Sequence, residues 1–215
     1  MRHRIILADD HEMILDGLRR ILEPEFDIVA TVADGRALIA EIERLKPEIA
    51  LVDISMPLLN GLDALRRIKN AHSRTRFVFL TGSPDAALAT QAFRLGASGY
   101  VVKQSAAEEL VAAIHEVLAG HVYIAPRIAN EVLQNLMSHP ADTSKDGSGL
   151  TGREREVLQL LAEGKTVKEI SAILNVSPRT VEFHKNNLVA KTGLHTTAEL
   201  ARYAVRSGLV SELGY

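Results

Sequence analysis

The chain has 215 residues, 47% of them hydrophobic and 24% charged, with a formal net charge of −2 and no cysteine. The absence of thiols excludes disulfides, thiolate metal sites and thiol catalysis. No apolar run approaches the roughly 20 residues that span a bilayer, so no membrane partner is expected. The start Met1-Arg-His-Arg4 leads straight into a strand pattern with no signal-type segment, and a soluble cytoplasmic protein is expected. The charge is uneven. Residues 1–149 hold 16 Lys/Arg and 20 Asp/Glu, whereas residues 150–215 hold 9 and 7, so only the second half is net positive. That sign difference suits a chain whose second half meets phosphates.

The first 120 residues alternate short apolar runs with longer segments of helical period. Strands are predicted at Arg4–Ala8, Asp27–Thr31, Ile49–Asp53, Phe77–Leu80 and Gly99–Val102, mostly as the continuous apolar runs of strands buried on both faces. Helices are predicted between them near 11–22, 35–46, 61–70, 84–95 and 106–119. Five such repeats imply an α/β fold, a five-stranded parallel doubly wound sandwich of flavodoxin-like type. Residues 121–149 read as a linker. Within it Ile128, Val132, Leu133 and Leu136 are spaced for one further helix over 126–137, and Ser138–Gly149 is polar and rich in Ser, Asp and Gly.

From Leu150 onward the strand patterns vanish. Thr151/Glu154, Thr166/Glu169 and Thr196/Glu199 are spaced as capping boxes, and Ser177-Pro178 sets an N-cap serine before a proline suited to the first helical turn. Four helices over 150–215 make a small all-α domain, and the short turn Leu174-Asn-Val-Ser177 suits a helix-turn-helix.

Several predicted strands end on polar residues: Asp9-Asp10, Asp53, Thr81 and Lys103. A parallel sheet gathers these ends on one edge, where its ligands bind. Three crowded carboxylates need a counter-charge, which a divalent cation and Lys103 would supply; an oxygen-rich, thiol-free donor set favours Mg²⁺. Taken singly, each acid is more simply a helix cap, and Asp10 would cap the helix that begins at His11. The four strand ends together carry the signal.

These residues, with LVDISMPLLNG at 51–61, Phe79-Leu80-Thr81-Gly82 and Gly99-Tyr-Val-Val-Lys103, resemble the receiver domain of bacterial response regulators over about 120 residues. The resemblance implies that Asp53 accepts a phosphoryl group from a sensor histidine kinase or a small acyl phosphate. It implies that Asp10, Asp53 and the carbonyl of Ser55 hold Mg²⁺, with Asp9 helping through water. Thr81 would hydrogen-bond the phosphoryl oxygens, Lys103 would pair with them, and Tyr100 would turn inward behind Thr81. Gln104 stands where many receivers have proline, so a cis peptide is not expected there. A domain of this kind catalyses only its own phosphoryl transfer and dephosphorylation.

Residues 150–194 resemble LuxR-type helix-turn-helix domains through Leu-Thr-x-Arg-Glu-x-Glu-Val-Leu, the Lys-Glu-Ile step and Ser-x-x-Thr-Val-x-x-His. Together the two halves resemble NarL/FixJ-type regulators, which implies a transcription regulator that binds double-stranded DNA. The reading helix is expected from Pro178 to about Lys191, with Val181, His184 and Leu188 toward the core. Glu182, Phe183 and Asn186 would face the major groove. Lys165, Lys168, Arg179, Thr180, Lys185 and Lys191 complete the expected DNA-contacting set, the basic ones at phosphates. By the same resemblance the last helix, about 197–207, would form a homodimer through Leu200, Tyr203 and Ala204, on phosphorylation or on DNA, with core packing alone as the alternative for Leu200 and Ala204. Three rival readings are a haloacid-dehalogenase-type phosphatase, weakened because Ser55 stands where the second acid belongs, a nucleotide-binding fold, weakened because the first strand leads into Asp9-Asp10-His11 and not a glycine-rich loop, and a DNA-binding regulator independent of phosphate.

Overall fold

The computed structural model describes residues 2–71, 73–82, 84–105, 107–138 and 149–210. Strands β1 (Arg4–Ala8), β2 (Asp27–Val32), β3 (Ile49–Val52), β4 (Arg76–Thr81), β5 (Gly99–Val102) and β6 (Tyr123–Ile124) form one parallel sheet in the order β2-β1-β3-β4-β5-β6. The order reverses between β1 and β3, the point where doubly wound sheets open a crevice for ligands. A sixth strand therefore extends the expected five. It is short, and its Tyr123 and Ile124 pair with Gly99 and Tyr100.

The sheet is buried on both faces because its strands alternate between two apolar layers. One layer carries α1 (Glu12–Leu22) and α5 (Ala107–Leu118), whose Leu18, Leu22, Leu110, Ile114 and Val117 meet Ile5, Leu7, Val78 and Val101. The other carries α2 (Gly35–Leu45), α3 (Gly61–Asn70), α4 (Ala86–Arg94) and α6 (Ala129–Ser138) against Ile6, Ala50, Val52, Phe77 and Phe79. Part of the expected linker thus belongs to the packed body: Ala125, Ile128 and Val132 are buried with α4, and Arg94 donates to the Asn135 carbonyl at 3.1 Å. Residues 139–148 of the linker lie outside the described residues.

Side-chain caps start these helices where the sequence supplies them. Asp34 accepts from Arg36 N and Ala37 N, Asn60 from Asp63 N, and Asp85 from Ala87 N and Leu88 N. The start of α1 differs. Its N-cap is His11 with no side-chain cap bond, so Asp10 is not spent on capping.

The C-terminal unit comprises α7 (Gly152–Ala162), α8 (Val167–Leu174), α9 (Pro178–Thr192) and α10 (Thr197–Arg206). All three capping boxes form, Ser177 caps α9 with Pro178 behind it, and Asn175 ends α8 in the left-handed conformation. Val157, Leu158, Leu161, Ile170, Leu174, Val181, Leu188, Leu200 and Ala204 build its core.

Candidate phosphoacceptor pocket and nucleic-acid interface

The carboxyl ends of β1, β3, β4 and β5 bring together Asp9, Asp53, Thr81 and Lys103. Lys103 Nζ lies 2.6 Å from Asp9 Oδ2 and 3.4 Å from Asp53 Oδ2, bridging the two buried carboxylates. Asp9 also accepts from His11 N at 3.0 Å, and His11 Nδ1 lies 2.9 Å from Asp10 Oδ1. Burial pushes the Asp53 carboxyl up to about 6; Lys103 pulls it down, and the negative charges of Asp9 and Asp10 raise it further. A second cation beside Lys103 would relieve that repulsion. Asp9, Asp10 and His11 place ligand atoms within 4.8 Å of one another, and the carboxylate oxygens here are the hard donors that Mg²⁺ prefers. The donor chemistry fits.

Behind the pocket, Tyr100 is fully buried, shares a hydrogen bond with the Thr81 side chain and donates to the Asp85 carbonyl at 3.4 Å. Burial holds its phenol well above the ordinary range. Tyr100 therefore already points inward. Lys103 N donates to the Thr81 carbonyl and Gln104 Nε2 to the Gly82 carbonyl, tying the β4 and β5 ends together. The peptide preceding Gln104 is trans. Gly61 sits under the loop, where a Cβ would come within 2.4 Å of the Asp53 carbonyl oxygen; at Gly35 a Cβ would come within 2.1 Å of the Leu59 carbonyl oxygen, so both approaches depend on the lack of a side chain.

In α9, Val181 and Leu188 are fully buried, whereas Glu182, Phe183 and Asn186 face outward as expected. Phe183 is 60% exposed, a large apolar side chain on an otherwise polar face. His184 sits at the edge of the core, half-buried, with an edge contact to the Phe183 ring at 5.5 Å. Arg179 and Lys168 are exposed. Thr180 is tied to the cap through Ser177 Oγ at 2.8 Å, and Lys185 lies 3.9 Å from Glu182. Lys191 is turned back instead: it pairs with buried Glu154 at 2.6 Å and donates to the Gly149 carbonyl. Its charge holds α9 to the start of α7.

The expected pairing set on α10 divides. Leu200 and Ala204 are buried in the domain's own core because the 3.6-residue repeat turns them inward together, so neither offers a surface to a second copy. Tyr203 is half-buried in a recess shared with Asp85, Leu88 and Gln91 of the first unit. The opposite face of α10, with Ala198, Ala201, Arg202 and Val205, borders a cleft of about 880 Å³ that reaches Asp10, Ser55 and Lys165.

The sequence reading missed the contact between the two units. Arg155 Nε donates to Asp63 Oδ1 at 2.9 Å, and Glu156 accepts from Arg36 at 3.2 Å, from Arg153 at 3.0 Å and from Arg67. Gln159 is fully buried between the units. Burial holds the Arg36 guanidinium below its ordinary range; Glu156 raises it, while Arg67 and Arg153 lower it. No local pattern flags it: α7 carries polar residues at 154, 155, 156 and 159, as a solvent-facing helix would, and only the structure shows them buried. Only a partner surface satisfies such a helix.

The comparisons with known proteins agree with this geometry. The response regulator receiver domain model matches residues 5–115, and the model of bacterial regulatory proteins of the luxR family matches residues 148–204. The chain belongs to the response-regulator family. It is 33% identical over 213 residues to the transcriptional regulatory protein MctR of Rhizobium johnstonii, covering 98% of this chain and 97% of that one. The oxygen regulatory protein NreC of Staphylococcus aureus is 35% identical, covering 96% and 99%. Among solved structures, the RcsB response regulator of Salmonella typhimurium has a TM-score of 0.63 at 28% identity, covering 96% and 99%. A LuxR-family two-component response regulator from Aurantimonas sp. has a TM-score of 0.60 at 35% identity, covering 64% and 99%. This response regulator is accordingly a two-component transcription regulator with a LuxR-type DNA-binding domain. Among its described residues no helix is long and apolar enough to cross a membrane.

Proposed function

We propose that Asp53 is the phosphoacceptor of this regulator and that its modification controls pairing on DNA. The observation that carries the reading is Lys103 bridging Asp9 and Asp53 at the sheet's switch point, with Thr81 and inward Tyr100 alongside. Asp53 has the oxygen that attacks phosphorus; Lys103 and Thr81 are placed for the phosphoryl oxygens. Asp9, Asp10, Asp53 and the Ser55 carbonyl are the residues that would hold Mg²⁺. Bound there, Mg²⁺ neutralises charge on the transferring group. The chain's own contribution is positioning, because a carboxylate is a weak nucleophile unless it is oriented and its charge is balanced. The donor is a sensor histidine kinase or a small acyl phosphate. The new dianion draws Lys103 from Asp9 toward the adduct and moves Thr81, Tyr100 and the loop beyond Asp53.

The units divide as a receiver at 1–120, a connecting stretch at 121–149 whose first part, β6 and α6, packs onto the receiver, and a DNA-binding domain at 150–215. In the last, Glu182, Phe183 and Asn186 of α9 read bases, while Lys165, Lys168, Arg179 and Lys185 meet phosphates with Thr180 beside them. One such domain, with a small net positive charge, binds weakly, and pairing of two copies multiplies affinity through effective concentration. Structures of RcsB include dimers bound to DNA, which supports a homodimer here. Intact mass after incubation with acetyl phosphate and Mg²⁺ tests the acceptor. A single phosphoryl adduct that requires both Mg²⁺ and Asp53 is expected, and an adduct retained in Asp53→Asn refutes the assignment.

A further inference from the structure

The loop that follows Asp53 is held from both ends, and one of its anchors belongs to the other domain. On the receiver side, Ile54 N donates to Asp53 Oδ1 at 2.9 Å and Gly61 N to the Ile54 carbonyl at 2.8 Å. On the far side, Gln159 Nε2 donates to the Met56 carbonyl at 2.8 Å, and its Oε1 accepts from Asn60 N at 3.0 Å and Asn60 Nδ2 at 3.1 Å. Glu163 accepts from Leu58 N at 3.1 Å and from Gln159 Nε2 at 2.8 Å. Two side chains of the α7 segment thus bind three backbone groups between Met56 and Asn60. Leu58 itself has φ +64, a left-handed backbone that a bulky residue adopts only under constraint, and its side chain packs against the core of the DNA-binding domain.

We propose that Gln159 and Glu163 are positioning residues for phosphoryl uptake at Asp53: docked, they lock the 56–60 loop in the form that suits the unmodified carboxylate. The inference rests on the reading above, in which Asp53 is the acceptor and its modification moves the loop beyond it, and it adds that this movement loosens the docked domain. Coupling free energy is reciprocal. If the adduct weakens docking, docking weakens the adduct by the same factor. The loop is the physical link, since it runs from the acceptor and Ser55 directly into the side chains of Gln159 and Glu163. The DNA-binding domain is then an input to the receiver's chemistry as well as its output. Whatever withdraws α7, including DNA that holds the domain elsewhere, makes the receiver easier to phosphorylate.

The test uses the full-length chain, acetyl phosphate and Mg²⁺, with the phosphorylated fraction at steady state read by intact mass. Gln159→Leu keeps the size of the side chain and removes every bond to the loop. Its half-saturating acetyl phosphate concentration is expected to fall about five-fold or more, the lower end of ordinary allosteric coupling. Glu163→Leu shifts the curve the same way. Glu163→Gln, which keeps an oxygen for Leu58 N–H, falls between Glu163→Leu and wild type, a graded rescue that mere destabilisation would not produce. Glu156→Gln loosens docking without touching the loop and covers the case in which a loop variant fails to fold; it too lowers the half-saturating concentration. Unchanged curves, or curves moved to higher donor concentration, overturn the proposal. A wild-type chain that takes up no phosphoryl group refutes Asp53 as acceptor and removes the basis of this inference with it, an outcome distinct from an adduct indifferent to Gln159.

Discussion

Glu156 is the residue whose neutralisation most directly separates the two units. Its side chain is 6% exposed and receives Arg36 and Arg67 from the receiver and Arg153 from its own helix. In Glu156→Gln three guanidinium groups surround a neutral amide, and Arg36, whose Nε is already buried without a partner, loses its main compensation. Breaking a fully buried pair costs about 3–5 kcal/mol. Arg67 and Arg153 are 40% and 28% exposed, so water recovers much of that, and a loss of about 1–3 kcal/mol in docking is expected. That loosens the docked form by roughly five- to 150-fold. Each domain's own core is untouched, because Val157, Leu158 and Leu161 remain packed. Hydrogen exchange of unphosphorylated protein reads the effect: backbone amides at 58 and 60 should exchange faster, while those of β1 and β3 should not. Equal protection of the loop in wild type and Glu156→Gln would show that Asp63–Arg155 and Gln159 hold the units together without Glu156, contrary to the charge argument.

Asp53 titrates with a sign that can be checked. Its folded pKa, up to about 6 against an ordinary 3.8, means that the folded chain binds this proton more tightly than the unfolded one. The associated stability is fully present below about pH 4 and is lost as pH rises through about 6. Without Mg²⁺, Asp53→Asn should therefore be more stable than wild type by about 1–3 kcal/mol at pH 7.5 in urea denaturation, with the advantage shrinking toward pH 4. Gly61→Ala places a methyl group against the Asp53 carbonyl and should cost about 1–3 kcal/mol by overpacking and slow adduct formation, seen by denaturation and intact mass. Arg179→Ala should lower the salt slope of DNA binding by about one, measured by fluorescence anisotropy at several ionic strengths. Lys191→Ala should leave that slope unchanged and lower the thermal stability of the C-terminal domain, because Lys191 is engaged with Glu154.

Much of this architecture was legible because it is written in local chemistry. Continuous apolar runs marked buried parallel strands, Thr/Glu pairs three residues apart marked helix starts, and polar residues at strand ends marked the pocket, since a parallel sheet collects those ends on one edge. The inward face of α9 followed from spacing alone. Strand β6 was not legible: two residues carry no period, and Tyr123 and Ile124 became a strand only because the open edge of β5 accepted them. Nor did spacing separate Leu200 and Ala204 as core residues from Leu200 and Ala204 as a pairing surface, because a helix buries the same face against either partner. Tertiary structure alone decided where α7 lies. Its Arg155, Glu156 and Gln159 look like solvent-facing residues in sequence, and their partners Asp63, Arg67 and Asn60 lie about a hundred positions away. The sequence of this regulator therefore determined its two domains and the place of its chemistry. The contact that joins them depended on complementary charges meeting across that distance, which no local pattern records.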